Sequence, residues 1–328
     1  MRMASVNLAK LAPLADSLDR PLAAFALSES AAILAALEGA ALVLNVAGPF
    51  DQSAMPLIDV CLQTGTHYLD MGGEWSVFLD IMARDAEARA AGIMLLPGTG
   101  LTIAATDCLL LRAVETWPDT VHLNLGISRA QVVSRGSATS MSGLVSPSAL
   151  VRRDGQLMEI PSGSLARSFD FGEGMSEAVA MSWADVVTAS FTTGVANIEV
   201  YNEMRWHERA TYHGTGLGMG FTGRGAWRKL GGLLSSAMRE GPRPSERNSA
   251  HFTMIAEALD PWRRSRLLRL ETLDGYGASA RLTEETVRRV LAGAVAPGFT
   301  TPATLLGSSL VESAGAGAFQ GAGGRNAA

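Results

Sequence analysis

Several side chains in this sequence have types and spacing suited to chemistry. Asp70 ends the short apolar run His67-Tyr-Leu-Asp70, and Glu74 ends the loop Met71-Gly72-Gly73-Glu74 that follows. A carboxylate at the end of a strand can orient a ribose, a substrate amine or a proton-carrying water. It can equally cap a helix or tie down a loop, and the two roles stand level here. Asn45 closes another apolar run just before Ala47-Gly48-Pro49-Phe50. Gly48 suits either a tight turn or the close approach of a ligand, since it has no Cβ. Asp107 begins a helical stretch after Pro97-Gly98-Thr99-Gly100, where capping is a stronger reading than substrate contact. Arg135, in Ser134-Arg-Gly, offers a bidentate fork to an anion.

Other motifs fail on context. Gly218-Met-Gly-Phe-Thr-Gly223 spells a phosphate-loop pattern, but that pattern needs a buried strand directly before it. Arg205 to His213 is too polar for that, and glycines recur from Gly214 to Gly232, so a flexible connection is the better reading. Gly315-Ala-Gly317 has no helix after it. His207 and His213 are six apart with Thr211 between them, which is not a zinc-protease spacing and reads as loop histidines. Arg263, Arg264, Arg266 and Arg269 read as a solvated edge rather than an anion patch. Cys61 and Cys108 form neither a disulfide framework nor a zinc-type cluster, and Cys61 reads as a small core residue. No metal site is expected.

The 27 basic and 32 acidic residues leave a net charge of −5, which excludes a polyanion-binding surface spread over the whole chain. No nucleic-acid module is recognisable. Only Lys10 and Lys229 are lysines, a bias attributable to genome composition. With 47% hydrophobic and 18% charged residues the chain is globular rather than disordered. The N-terminus lacks the apolar core of a secretory signal, and the greasy stretch Ala31 to Gly48 is broken at Glu38-Gly39, so no membrane span is expected. A cytoplasmic location follows as the expectation.

These residues need elements to position them. Helical spacing covers Asn7 to Leu18, Glu29 to Leu37, Met55 to Gln63, Ser76 to Ala91 and Ala104 to Glu115. Between them lie short apolar runs at Pro21 to Leu27, Ala41 to Ala47, His67 to Asp70 and Ile93 to Leu96. The run at Ala41 to Ala47 has the continuous apolar character of a strand buried on both faces. Alternating strands and helices imply a parallel sheet, which binds ligands beyond the carboxyl ends of its strands. From residue 116 the period changes to two, as in Val121, Leu123, Leu125 and Ile127. Further strands are expected at Ser168 to Phe171, Ala184 to Thr193 and Asn197 to Tyr201. Asp274-Gly275 is expected to turn a hairpin between Arg266 to Thr272 and Tyr276 to Leu282. A final helix is expected over Thr283 to Ala292.

Val43-Leu-Asn-Val-Ala-Gly-Pro-Phe50, Cys61-Leu-Gln-Thr-Gly-Thr-His-Tyr-Leu-Asp70 and Gly73-Glu74 resemble the saccharopine dehydrogenase-like oxidoreductases, among them the bacterial trans-acting enoyl reductases. The resemblance continues through Gly98-Thr-Gly100 with Asp107, Ser134-Arg-Gly-Ser-Ala138 and Trp183-Ala-Asp-Val186. It ends with Thr192-Thr-Gly194, Asn197-Ile-Glu-Val-Tyr201, Asp274-Gly275-Tyr276, Val290-Leu-Ala-Gly293 and Pro297-Gly-Phe-Thr-Thr-Pro302. It spans roughly residues 8 to 310, and the bacterial enoyl-reductase-like branch is favoured. The fold class it implies is α/β, an incomplete Rossmann-type parallel sheet with an inserted α+β, mainly antiparallel substrate domain. The expected divisions are 1–115 for the partial NAD(P)-binding domain and 116–282 for the substrate or dimerisation domain. Residues 283–312 return to the first domain, and 313–328 form a disordered tail.

The resemblance also implies an NADP or NAD cofactor, a small-molecule substrate and a homodimer. It places Asn45, Ala47, Gly48, Pro49, Phe50, Gly73, Gly98 and Gly100 at the cofactor, with Arg135 and Trp183 facing substrate. Asp70, Glu74 and Asp107 are its candidate catalytic residues. One departure counts against cofactor binding. The family opens with a strand, a glycine-rich turn, a helix and a second strand, and this sequence begins just past them. The missing turn would supply backbone N–H groups to the pyrophosphate. The missing strand would leave two unpaired sheet edges. A misassigned start, a paralogue that lost hydride chemistry, and a sheet restored by a partner chain or a rearranged segment all remain open.

Overall fold

A computed structural model gives the fold and describes residues 1–130, 148–205, 207–210, 212, 214 and 251–324. The runs ending at Asp70 and Leu96 become strands β4 (His67–Asp70) and β5 (Met94–Leu96) at the centre of a four-stranded sheet. Outside them lie β3 (Leu42–Asn45) and β14 (Gly298–Phe299), in the order β14–β5–β4–β3, with every neighbouring pair parallel. Tyr68 and Leu95 point into a core with α3 (Phe50–Thr64) and α4 (Trp75–Ala83). Leu69, Met94 and Leu96 point the other way, onto Val287 and Val290 of α8 (Gly275–Leu291). Cover on both faces leaves all five fully buried, each worth roughly 2 kcal/mol. The single helix expected to Ala91 is two: α5 (Asp85–Ala91) follows a break at Arg84.

The start of the chain is built differently. A strand not expected there, β1 (Met3–Ser5), precedes α1 (Leu8–Ser17) and pairs in parallel with β2 (Leu22–Ala24). These two strands form a sheet of their own, held to α2 (Ser30–Leu37) by the Arg2 guanidinium, which donates to the Ala35 and Ala36 carbonyls. β3 therefore ends its sheet, and Leu42, Val43 and Leu44 are only half-buried. This corrects the expectation of a strand buried on both faces: an edge strand lacks the neighbour that would complete its cover.

The second region holds β6 (His122–Ile127), β7 (Ser148–Arg153), β8 (Gln156–Pro161), β9 (Ala166–Asp170), β10 (Met175–Ala180), β11 (Asn197–Glu203), β12 (Phe252–Leu259), β13 (Ser265–Thr272) and β15 (Gly317–Gly324). Their order is β15–β13–β12–β6–β11–β10–β9, with β7 pairing β11 and β8, and every pair but β6–β11 is antiparallel. One face packs on α6 (Thr106–Thr116), which continues from a π-helical turn at Leu101–Ala105, and on α7 (Asp185–Thr193). Asn124, between the apolar Leu123 and Leu125, is itself buried and donates to Glu257 at 2.8 Å.

Three expectations are corrected. Ala184 to Thr193 is the helix α7 rather than a strand, despite its β-branched residues, and it closes on Gly194. Asp274-Gly275 starts α8 instead of turning a hairpin, because the Asp274 carboxylate accepts from the Tyr276 and Gly277 N–H groups. The expected disordered tail contains β15, whose backbone pairs with β13 while Phe319 packs on the core. The short helices α9 (Pro302–Leu306) and α10 (Leu310–Ser313) lead to it.

Candidate active site

The carboxyl ends of β3, β4 and β5 converge with the second sheet and α8 on a cavity of about 1130 Å3. Ala47, Gly48, Pro49 and Phe50 line it after β3, Gly73 and Glu74 after β4, and Gly100 to Thr102 after β5. Ile127, Ser128, Trp183, Asn202, Phe252 and Met254 form the wall from the second region. Tyr276, Ser279, Thr283 and Glu284 come from α8.

Two residues expected at this site hold it from behind. Asn45 is buried; its amide donates to Ser53 Oγ (2.9 Å) and Tyr68 Oη (3.2 Å), and its carbonyl accepts from Ala47 N (3.0 Å). It therefore shapes the turn that carries Gly48 to the cavity. Asp70 is also buried, and one carboxylate oxygen accepts from both Gly72 N and Gly98 N at 2.8 Å. The other accepts from Tyr68 Oη at 2.9 Å. Burial, helped in smaller part by the charge of Glu74, raises its pKa to about 6 against the lowering effect of the Gly98, Gly72 and Tyr68 donors. Asp70 thus staples together the loops after β4 and β5.

Gly98 lies in that second loop at φ 74°, and a Cβ there would sit 2.7 Å from Ile103 Cβ and 2.8 Å from Phe78 Cζ. Its requirement is steric, and it does not line the cavity. Glu74 does: its carboxylate accepts from Gly73 N at 3.0 Å, and its backbone makes an antiparallel bridge to Trp183. The Trp183 indole N–H donates to Asn202, fixing the ring at the junction of the two regions.

Asp107 is neither a cap nor a cavity residue. It is buried and accepts from Thr188 and Thr192 hydroxyls, each at 2.9 Å, which fastens α6 to α7. Burial pushes its carboxyl up to about 7, partly offset by those hydroxyls. Asp185 beside it is wholly buried, and its carboxylate oxygens have no hydrogen-bond partner among the described residues. Burial, and then the charge of Asp107, raise it well above the carboxylate range. The nearby Thr106 hydroxyl has one hydrogen and donates it to the Thr102 carbonyl at 2.7 Å. Arg135, His213 and Gly218 to Gly223 lie outside the described residues.

Sequence reasoning missed the wall supplied by α8. A helix signal was present: Ala278, Leu282, Thr286 and Val290 recur every four residues and are all buried. Thr102, Ser128 and Asn202 carry no local signal, since only the fold brings them to the cavity.

Residues 4–96 match the family model described as the saccharopine dehydrogenase NADP binding domain. The apo saccharopine dehydrogenase (L-Glu forming) of Saccharomyces cerevisiae shares the fold over 94% of this chain and 89% of its own, at 10% identity and a TM-score of 0.62. The WlbA dehydrogenase of Bordetella pertussis, in complex with NADH and UDP-GlcNAcA, aligns over 96% of this chain and 86% of its own, at 12% identity and a TM-score of 0.42. No curated protein matches the chain.

The NADP-binding family model implies a nicotinamide dinucleotide as cofactor. Gly48, Gly73 and Gly100 line the cavity and would let its nicotinamide end meet backbone directly. Away from the cavity, β1 runs into α1 through Ser5-Val6-Asn7, without glycine, and Asn7 N donates to Ser5 Oγ. No lysine, arginine or histidine lines the cavity among the described residues. No helix of the described residues is long and apolar enough to cross a membrane.

Proposed function

We propose that this saccharopine dehydrogenase-like chain is a nicotinamide-dependent oxidoreductase. It would move a hydride between C4 of NADP(H) or NAD(H) and a C=N, C=O or C=C centre of a small molecule. The observation that carries this reading is the convergence of three parallel strand ends on one cavity roofed by a second region. The match of residues 4–96 supports the cofactor class. Bound nicotinamide supplies the hydride, and the chain orients the reactants and excludes water. Ala47 to Phe50, Gly73 and Gly100 line the nicotinamide side, with Asn45, Asp70 and Gly98 fixing their loops. Glu74 and Trp183 face substrate, and Arg135 is the cation to test for anion recognition. A C=C acceptor corresponds to the trans-acting enoyl reductase branch. A cytoplasmic homodimer joined through the second region completes the proposal.

The separate β1–β2 sheet and the open edge of β3 favour a second reading. In it the chain is a non-catalytic paralogue or fragment that keeps the fold as a binding or scaffold protein. Thermal unfolding with and without NADPH or NADH separates the two. At a hundred times its Kd a ligand adds about 2.7 kcal/mol, or roughly 5–10 °C for a domain of this size. We expect such a shift; melting unchanged by either cofactor sides with the scaffold.

A further inference from the structure

We infer that Asp185 holds a proton at neutral pH, and that this proton keeps in place the π-helical turn Leu101–Ala105, which carries Thr102 to the cavity. Asp185 is thereby a positioning residue behind the cavity wall. For the use of the cavity, though not for its geometry, this rests on the oxidoreductase reading. The hydrogens beside the Asp107–Asp185 pair can be counted. Each Asp107 oxygen accepts a hydroxyl hydrogen, one from Thr188 and the other from Thr192. Thr301 donates to Thr304, and Thr106 to the Thr102 carbonyl at 2.7 Å. Those hydroxyl hydrogens are all engaged, and both Asp185 oxygens are left without a donor among the described residues.

No described cation replaces the missing donor. Of the elements packed on α7, α6 brings Asp107, Cys108, Arg112 and Glu115. Cys108 is engaged with the Gly307 carbonyl, and Arg112 with Ser308, Glu115 and Glu312. β7 brings Arg152, engaged with the Val186 and Gly155 carbonyls, and Arg153, paired with Glu199. β11 brings Glu199, to which Tyr201 donates, and Glu203, which accepts from Arg129 N. α4 brings Asp80, which is exposed. Among these charges Asp107 alone acts on Asp185, and it opposes ionisation.

An ionised Asp185 would be a bare charge, wholly buried beside a second carboxylate, whereas a neutral acid brings a hydrogen of its own. Thr106 is the hydroxyl that acts on Asp185, and a hydroxyl oxygen that donates can also accept. The order is then Asp185 O–H to Thr106 O–H to the Thr102 carbonyl, a series whose members polarise one another. When the Asp185 proton passes to solvent, the carboxylate draws the Thr106 hydrogen to itself and the Thr102 carbonyl loses it. Thr102 Oγ1 lies 3.2 Å from where a Cβ on Gly73 would sit, so the released turn disturbs the loop after β4 as well. Asp185 is raised above its unfolded value, so the hold is complete at low pH and is lost as pH rises.

The test uses the full chain without cofactor, so failure of the oxidoreductase reading shows separately, in the NADPH melting experiment. The infrared difference between the native chain and Asp185→Asn at pH 7 should contain the C=O band of a buried carboxylic acid, shifted in D2O. Amide exchange of residues 101–106 is then followed by mass spectrometry from pH 6 to pH 9.5, as a ratio to Asp185→Asn at the same pH. That ratio should be near one at pH 6 and rise about fivefold by pH 9.5, the worth of one net hydrogen bond. Thr106→Val should exchange about fivefold faster than the native chain already at pH 6, and Thr106→Ser should restore native behaviour. These two variants keep the test readable if Asp185→Asn fails to fold. A missing carboxylic band, a ratio flat to pH 9.5, or Thr106→Val exchanging like Thr106→Ser overturns the inference. So does loss of the band on adding Mg2+ or Ca2+ with a rise in Tm, which would assign the pair to a cation.

Discussion

β2 and β5 are both three-residue parallel strands of apolar residues, Leu22-Ala-Ala24 and Met94-Leu-Leu96, but only the second is buried. Met94, Leu95 and Leu96 are wholly inaccessible, whereas Leu22 and Ala23 are half-buried and Ala24 is exposed. β5 has a strand on each side and helices on both faces; β2 has β1 alone beside it. Composition is therefore a poor guide to burial here, and the number of neighbours decides it. The same contrast holds across β1, α1 and β2 and their turns, where Met1, Val6, Leu8, Leu14 and Leu18 stay exposed, whereas Ile33 and Leu37 of α2 reach the main core. The segment up to β2, rich in exposed aliphatics, contributes little to stability, while the stretch from Tyr68 to Ile103 carries much of it.

The largest effect should come where the buried stretch is tightest. Gly98→Val adds a Cβ that meets Ile103 and Phe78 below 3 Å, in a left-handed conformation. Left-handed strain and overpacking together predict a loss of about 4 kcal/mol in urea unfolding. A loss below about 1 kcal/mol would mean that this loop relaxes and the contrast is overstated. Next comes a direct pairing of the two regions. Leu95→Ala should cost about 3 kcal/mol, and Leu14→Ala under about 0.5 kcal/mol. Equal losses would erase the distinction.

The smallest effect is set by pH. Asp70 has a folded pKa of about 6, above its unfolded value, so its stabilising contribution is complete below about pH 4 and is lost as pH rises through 6. Asp70→Asn does not titrate, and its carbonyl can still accept from Gly72 and Gly98. Between pH 4 and pH 8 the variant should gain on the native chain by about 2 kcal/mol, read from denaturation midpoints at each pH. A pH-independent difference would show that Asp70 is less desolvated than its burial implies.

Legibility in the sequence followed the same divide between local and distant causes. β4 and β5 were legible because short apolar runs between amphipathic helices leave few alternatives. The cavity residues at Ala47 to Phe50, Gly73, Glu74 and Gly100 followed from their place at strand ends. α8 was misread because Asp-Gly signals both a hairpin turn and a helix N-cap, and only the residues beyond it distinguish them. α7 was misread because Val186, Val187 and Thr188 favour a strand locally, whereas their burial against α6 and the sheet favours a helix. β15 was missed because Gly317-Ala-Phe-Gln320 carries almost no strand propensity of its own and is held by its pairing to β13. Asp70 was recognisable as a carboxylate at a strand end and Asp107 only as one at a helix start, and their partners at Gly98 and Thr192 lie too far along the chain for spacing to reveal.

β15 has one more implication. The chain passes from the parallel sheet to the large sheet before β6, back after β13 to α8 and β14, and over again to reach β15. Neither lobe is a single stretch of polypeptide, so no one cut liberates either intact. Loosening of one lobe pulls on segments that belong to the other. Heating should therefore give one calorimetric peak in place of two, and a nick at any single crossing should leave the halves associated until both melt together.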